Sequence, residues 1–127
     1  MSITIYDPEK DGINVTMIAK KAYLTVSPHM GAKYAVMNVV ELAPGEKNIP
    51  HIHVESEDSI FLLSGSGWIN DVDTGERLPI KAGCLVAVPV GLKHAVEAGD
   101  EGMKSIGGPV PPDYDMLKAV GINVSRD

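Results

Sequence analysis

Two histidines that alternate along one short segment are the residues best suited to chemistry. His51 and His53 end the run 45–53 and are separated by a single residue. Residues i and i+2 of an extended strand project from the same face, so both imidazoles are expected to point the same way. Two neutral imidazoles at this spacing can bind one metal ion. The segment therefore predicts part of a metal site.

A third histidine and several carboxylates could complete such a site. Acidic residues follow the pair closely, at Glu55, Glu57 and Asp58. His94 lies further along the chain, after Pro89 and Gly91, whose tight turn is expected to redirect the strand that carries it. Three histidines and one carboxylate commonly bind Fe, Mn, Ni, Co or Zn and leave positions open for water or substrate. His29, the remaining histidine, is interpreted as an ordinary surface or core residue.

The elements that must position these residues are predicted to be short β-strands. Short apolar runs are broken by Gly, Pro, Asn and Asp, and long helical periodicity is scarce. Candidate strands cover residues 14–19, 21–26, 34–42, 59–64, 67–70, 77–80, 84–88, 94–98 and 104–106, with turns at 64–67 and 99–102 among others. One short helix is predicted at 114–120, capped by Asp113 and stopped by Gly121. The spacing leaves no room for βαβ crossovers, so it predicts an all-β sandwich or small barrel.

Composition narrows the class of protein further. The chain has 127 residues, which fits one domain, and no apolar run is long enough to span a bilayer. Charged residues appear early in the amino-terminal segment, which predicts a cytoplasmic protein. The net charge of −6 argues against nucleic acid as a partner. Cys84 is the only cysteine, which excludes an internal disulfide and a multi-cysteine metal site.

Glycines and a proline recur at fixed distances from the three histidines. Gly45, His51, His53 and Gly65 occupy the positions of the first motif of the cupin family. Gly83, Pro89, Gly91 and His94 occupy those of the second, in which Ala98 stands where the family has Asn. The chain thus resembles a small single-domain cupin, which implies a double-stranded β-helix, or jelly-roll barrel, with a short C-terminal helix. The resemblance predicts one cupin domain over residues 1–127, with a barrel core at about 33–107 and an extension at 108–127.

The carboxylate ligand that cupins use falls on one of two neighbouring residues. Counted back from Gly65 along a predicted strand, the family position is Asp58, one methylene shorter than the usual Glu. Counted forward from His53 it can also be Glu57, which unbroken strand alternation would place on the histidine face. Three arrangements are therefore open: the three histidines with Asp58, with Glu57, or with water alone.

The resemblance implies a divalent transition metal, Fe, Mn, Ni, Co or Zn, and with it a function. We expect an enzyme acting on a small oxygenated molecule, such as a keto or hydroxy acid or a sugar-like compound, as a lyase or isomerase or as a dioxygenase. If Asp58 binds the metal, Glu57 is the candidate catalytic base. The alternative is a cupin that binds or senses a small molecule without chemistry. A homodimer is also expected from the resemblance, and an exposed strand at residues 2–6 could add to a partner's sheet.

Overall fold

A computed structural model describes residues 3–124, and it is built almost entirely from antiparallel strands. The strands are β1 (Ile13–Asn14), β2 (Lys21–Val26), β3 (Met37–Leu42), β4 (Glu57–Asp71), β5 (Arg77–Lys81), β6 (Leu85–Val88) and β7 (His94–Val110). Two short helices, α1 (Pro8–Asp11) and α2 (Tyr114–Ala119), and a 3-10 turn at Pro28–Met30 complete the described chain. The prediction of an all-β cupin barrel with a short C-terminal helix is confirmed.

Two long strands, β4 and β7, form the centre of the barrel. They pair antiparallel from Glu57 opposite Val110 to Asp71 opposite His94, with β3 on the other side of β7. The first half of β4 also pairs with β6, and its second half pairs with β5. Through these pairings, β4 and β7 connect β3, β5 and β6 in one sheet.

The sequence predicted each of these long strands as two short ones, and this was wrong. The expected turns at 64–67 and 99–102 lie inside β4 and β7, where the pairing register shifts between Leu62 and Ser64 and between Gly65 and Gly67. Gly65 and Gly102 have left-handed backbone torsions, with φ of 82° and 73°. Such bulges bend a strand without ending it, so glycines that resemble turn residues in the sequence mark shifts of the pairing register within two long strands.

Replacing Gly65 with alanine is expected to destabilise the barrel far more than the same change at Gly75. Both glycines have left-handed torsions, with φ of 82° and 77°. That conformation alone costs an alanine about 1–2 kcal/mol. A Cβ at Gly65 would also lie 2.0 Å from the carbonyl oxygen of Gly102, whereas a Cβ at Gly75 would have no neighbour within 4 Å. Denaturant unfolding of both variants measures the difference, and equal free energies of unfolding would contradict the close packing of the two bulges.

The predicted strand at 14–19 is also largely wrong. The strand ends at Asn14, and residues 16–18 form a turn closed by a hydrogen bond from the Ile18 amide to the Val15 carbonyl. The Asn14 side chain stabilises this turn, since it donates to the Lys20 carbonyl and accepts from the Ala22 amide. Val15 and Ile18 are nevertheless buried. The apolar residues thus fill the core from a turn rather than from a strand.

The C-terminal helix was predicted nearly in full. Asp113 caps α2 through a hydrogen bond from the Met116 amide to Oδ1 of Asp113, and Gly121 follows with a φ of 86°. Leu117 is buried and belongs to the hydrophobic core, against which Met116 also packs. Within residues 3–124, no helix has the length and hydropathy needed to cross a membrane.

Candidate metal centre

His51 and His94 are brought together by main-chain pairing between two distant segments. The amide of each residue donates to the carbonyl of the other, at 3.0 Å in both directions. Residues that exchange both hydrogen bonds in an antiparallel pair lie directly opposite, with side chains on the same face. The two imidazole centroids are accordingly 4.4 Å apart. The alternation of His51 and His53 then adds the third ring, 5.5 Å from that of His94.

The turn before His94 positions the same group of residues. The Gly91 amide donates to the His53 carbonyl at 3.0 Å, so the Pro89–Gly91 turn is fixed against the first histidine segment. Gly91 has a φ of 73°, which glycine adopts without strain. The turn that the sequence predicted to redirect the strand therefore also ties the two histidine segments together.

The structure brings Asp58 to the histidines and leaves Glu57 outside. Residues 54–56 interrupt the extended chain, so the alternation that runs through His51 and His53 does not continue into β4. At the start of β4, Glu57 is exposed and Asp58 is buried. Oδ2 of Asp58 lies 3.4 Å from Nε2 of His53 and 3.5 Å from Nε2 of His94. One donor atom from each of His51, His53, Asp58 and His94 lies within 4.8 Å of all the others, a group that could hold a metal ion.

Each of the three imidazoles has its Nδ1 atom occupied by a fixed acceptor. Nδ1 of His51 lies 2.8 Å from the Ile49 carbonyl, and Nδ1 of His94 lies 2.9 Å from the Leu92 carbonyl. Because a carbonyl only accepts, both rings must carry a proton on Nδ1. Nδ1 of His53 lies 2.7 Å from Oδ2 of Asp113. Hydrogen bonds of this kind orient metal-binding histidines and leave Nε2 available for the metal.

The buried Nε2 atom of His94 supports the fit to a metal ion. His94 is 1% exposed, and this atom has no hydrogen-bond partner. The nearest charged atom, Oδ2 of Asp58, is at the outer limit of hydrogen-bond distance and does not satisfy it. A buried polar atom without a partner costs about 1–3 kcal/mol. A cation bound between the imidazoles and Asp58 would remove that cost.

The electrostatics of the cluster set the protonation states that a metal would meet. Burial disfavours the charged form of His53, but hydrogen bonds to Asp113 and Asp58 outweigh it and raise its pKa to about 9. Burial opposes ionisation of Asp58, yet the close approach of the His53 and His94 rings lowers its pKa to about 2. Burial lowers the pKa of His51 to about 4. A metal ion bound at Nε2 of His53 would therefore replace the ring proton that faces Asp58.

Other residues considered from the sequence lie elsewhere or have a different role. His29 bonds to Ser27 within the 3-10 turn and does not join the cluster. Asp113 was expected only as a helix cap, and its bond to His53 spans 60 positions of the chain, so no local pattern could indicate it. Asn38 lines the cavity that contains the histidines, and its Oδ1 atom is buried without a partner.

The fold and the histidine–aspartate cluster define a cupin. The family model for the cupin domain matches residues 38–106, and the chain belongs to this family. Among curated proteins, rice Germin-like protein 3-5 is 38% identical over 64 residues, which are 46% of this chain and 28% of the relative. Barley Oxalate oxidase 1 is 34% identical over 64 residues, 46% of this chain and 32% of that protein. The chain thus matches about a third of the length of these relatives.

Solved structures show the same fold at low sequence identity. A predicted oxalate decarboxylase from Thermotoga maritima has a TM-score of 0.69 at 19% identity and covers 85% of this chain and 99% of its own. The polyketide cyclase RemF from Streptomyces resistomycificus has a TM-score of 0.69 at 21% identity, over 87% of this chain and 80% of its own. These likenesses establish the barrel architecture.

Proposed function

We propose that this protein is a divalent-metal-dependent cupin enzyme that acts on a small oxygenated organic molecule. The observation that carries the proposal is the convergence of three oriented imidazoles and Asp58 on one cavity inside the barrel. His51, His53, Asp58 and His94 would hold the ion, which can be Fe, Mn, Ni, Co or Zn. Three nitrogen donors and one oxygen donor leave coordination positions for two substrate oxygens.

The chain's own residues hold the ion and exclude water around it. When bound, a divalent cation would supply a Lewis acid or, if it is redox-active, an electron donor. The carbonyls of Ile49 and Leu92 and the carboxylate of Asp113 fix the three ring orientations before any substrate arrives. Val40, Ile60 and Val96 line the cavity and limit the water that can enter it. Such a dry and ordered site favours binding of a substrate in one orientation.

The reaction type is open between two classes. The matched proteins carry names as different as an oxalate oxidase, an oxalate decarboxylase and a polyketide cyclase. A lyase, isomerase or cyclase uses the metal as a Lewis acid, whereas a dioxygenase needs a redox-active metal and consumes O2. The copurifying metal and the requirement for O2 therefore discriminate between the two when they are measured together.

A binding or sensing role without chemistry is the second candidate, and one observation favours it. Among the described residues that line the cavity, the ionisable side chains are those of the metal cluster itself. Proton-transfer catalysis needs an acid or base close to the substrate. Glu57, the base expected from the sequence, is exposed at the start of β4 rather than among the residues that line the cavity.

Metal analysis and O2 uptake test the proposal together. We expect the purified protein to contain about one divalent transition ion per chain, as a single site of this composition would bind. O2 consumption is then measured across small keto acids, hydroxy acids and uncharged enols. Bound iron with substrate-dependent O2 uptake excludes a lyase or isomerase, and turnover without O2 excludes a dioxygenase. A protein that binds none of the five metals at neutral pH contradicts the proposed function.

The homodimer and the cytoplasmic location expected from the sequence stay predictions. Residues 3–7 have no regular secondary structure, and the side chains of Ile3 and Ile5 are 97% and 92% exposed. Residue 2 of the strand expected at residues 2–6, which could add to a partner's sheet, lies outside the described residues. Two exposed isoleucines at alternate positions are compatible with addition to the sheet of a second copy, which supports the proposed homodimer.

A further inference from the structure

A wider surface groove shares part of its lining with the cavity that holds the metal cluster. Ile18, His51 and Met116 line both spaces, so one molecule can occupy the two together. The groove runs between the turn before β2, the segment that carries the histidines, and helix α2. The groove therefore lies beside the metal cluster, where a ligand bound at the cluster can extend along it.

The surface of the groove is apolar although it faces solvent. Its exposed side chains include Met17 at 45%, Ile49 at 50%, Ile52 at 45% and Val54 at 63%. Exposed apolar surface that adjoins a binding cavity commonly marks a ligand site. The groove therefore fits the apolar part of a ligand whose other end lies at the metal cluster.

The charges around the two spaces disfavour an anionic ligand beyond the group bound to the metal. Among the described residues that line the cavity and the groove, none is Lys or Arg. The carboxylates of Asp113 and Asp115 border the groove and would repel a second negative charge. The part of the substrate that extends away from the metal is therefore expected to be uncharged.

Besides Nε2 of His94, one polar atom in the cavity has no partner, and it can recognise a hydroxyl group. Oδ1 of Asn38 is buried and accepts no hydrogen bond, although Asn38 lines the same cavity as the histidines. The neighbouring amide of Asn48 is already used, since its Oδ1 accepts from the Val96 amide at 2.7 Å. Asn38 is thus the amide in the cavity with an acceptor left for a ligand.

We propose that the site takes an uncharged, mainly apolar molecule that carries a hydroxyl group beside a metal-binding oxygen. The hydroxyl group donates to Oδ1 of Asn38, and the apolar remainder lies against Ile49, Ile52 and Met116 in the groove. The inference rests on the proposed metal-dependent function, and it narrows the substrate from small oxygenated compounds in general to this class.

Binding of defined probes to the zinc-loaded protein tests the proposal by titration calorimetry. The probes are 4-butylcatechol, catechol and oxalate, with the zinc content measured after each titration. We expect 4-butylcatechol to bind at least tenfold more tightly than catechol because its alkyl chain is buried in the groove. Oxalate is expected to bind more weakly than 4-butylcatechol. Tighter binding of oxalate than of 4-butylcatechol would overturn the proposal.

Three variants test the apolar groove and the Asn38 acceptor separately. Ile52→Glu should weaken 4-butylcatechol about tenfold and leave catechol unchanged. Leu85→Glu is the matched control, since Leu85 is 78% exposed on β6 and is not among the groove residues. Asn38→Ala should weaken both catechols about tenfold and leave oxalate, which has no hydroxyl donor as a dianion, unchanged.

The experiment distinguishes failure of the proposed metal-dependent function from failure of the proposed substrate class. A protein that retains neither zinc nor any of the other four metals contradicts the proposed function itself. Zinc binding with equal affinities of the wild type and Ile52→Glu for 4-butylcatechol overturns the substrate class alone. Ile52→Glu can instead change the molecular mass of the protein in solution and leave probe binding intact. The groove is then a contact between copies of the chain, and this result also overturns the proposal.

Discussion

His94→Ala is expected to abolish metal binding while the barrel stays folded. Nε2 of His94 is buried and has no hydrogen-bond partner in the protein. Its removal therefore takes a ligand from the metal without breaking a hydrogen bond made by that atom. Residues that only orient a ligand change metal affinity by about 10- to 100-fold. Loss of a ligand should therefore exceed about 100-fold. Metal content after dialysis and titration calorimetry with Zn²⁺ measure the loss.

The fold should survive because main-chain pairing holds residue 94 in place. The two hydrogen bonds between His51 and His94 use backbone atoms, which alanine retains. Circular dichroism should be unchanged, and His29→Ala should keep its metal, since His29 lies outside the cluster. Full metal occupancy in His94→Ala, or an equal loss in His29→Ala, would show that the cluster is not the metal site.

The sequence predicted the histidine cluster well because its determinants are local. The spacing of His51 and His53 defines a common face, and Gly91 before His94 defines the turn that pins the second segment. The main-chain pairing of His51 with His94 then follows from the barrel topology that the cupin motifs imply. Short-range geometry and a family motif together predict a site of this kind.

The choice between Glu57 and Asp58 depended on a feature that spacing does not show. Glu57 and Asp58 are adjacent acidic residues. If residues 54–56 continued the extended strand, alternation would place Glu57 on the histidine face. Because residues 54–56 interrupt the strand, that alternation does not hold. The register counted back from Gly65 favoured Asp58, on the assumption of an unbroken strand. In the structure β4 is one strand but its pairing register shifts between Leu62 and Ser64, and Asp58 reaches the histidines because residues 54–56 interrupt the alternation before it.

The strand lengths were underpredicted because glycine has two uses in a barrel. Gly65 and Gly102 have the left-handed torsions of turn residues, yet they lie in close contact inside two long paired strands, with Gly65 opposite Met103. A sequence shows the requirement for a positive φ but not whether the chain reverses there or only bends. Deciding between these outcomes requires the pairing partner, which is distant in sequence.

Asp113→Asn is expected to weaken metal binding about 10- to 100-fold, the range found when a partner of a metal-binding histidine is lost. Oδ2 of Asp113 accepts from Nδ1 of His53, while Oδ1 accepts from the Met116 amide and caps α2. An asparagine has only one acceptor oxygen, so it can keep the helix cap or the bond to His53 but not both. The carboxylate therefore connects the metal cluster to the helix that lines the groove.

This connection predicts that metal binding and docking of α2 stabilise each other. Because coupling between two equilibria is reciprocal, Zn²⁺ should increase hydrogen-exchange protection of the amides in Tyr114–Ala119 of the wild type. Asp113→Asn should remove that increase, and Asp113→Ala should in addition lose about 0.5–2 kcal/mol from the missing helix cap.

Asp115→Asn is the matched control, since Asp115 lies exposed in the first turn of the same helix. It should keep both the zinc affinity and the zinc-dependent protection of α2. If Asp113→Asn binds Zn²⁺ as tightly as the wild type, or if Asp115→Asn loses affinity equally, the contact between Asp113 and His53 does not orient the metal ligand. Equal losses of affinity in the two variants would mean that the acid acts only through the overall charge at the mouth of the barrel.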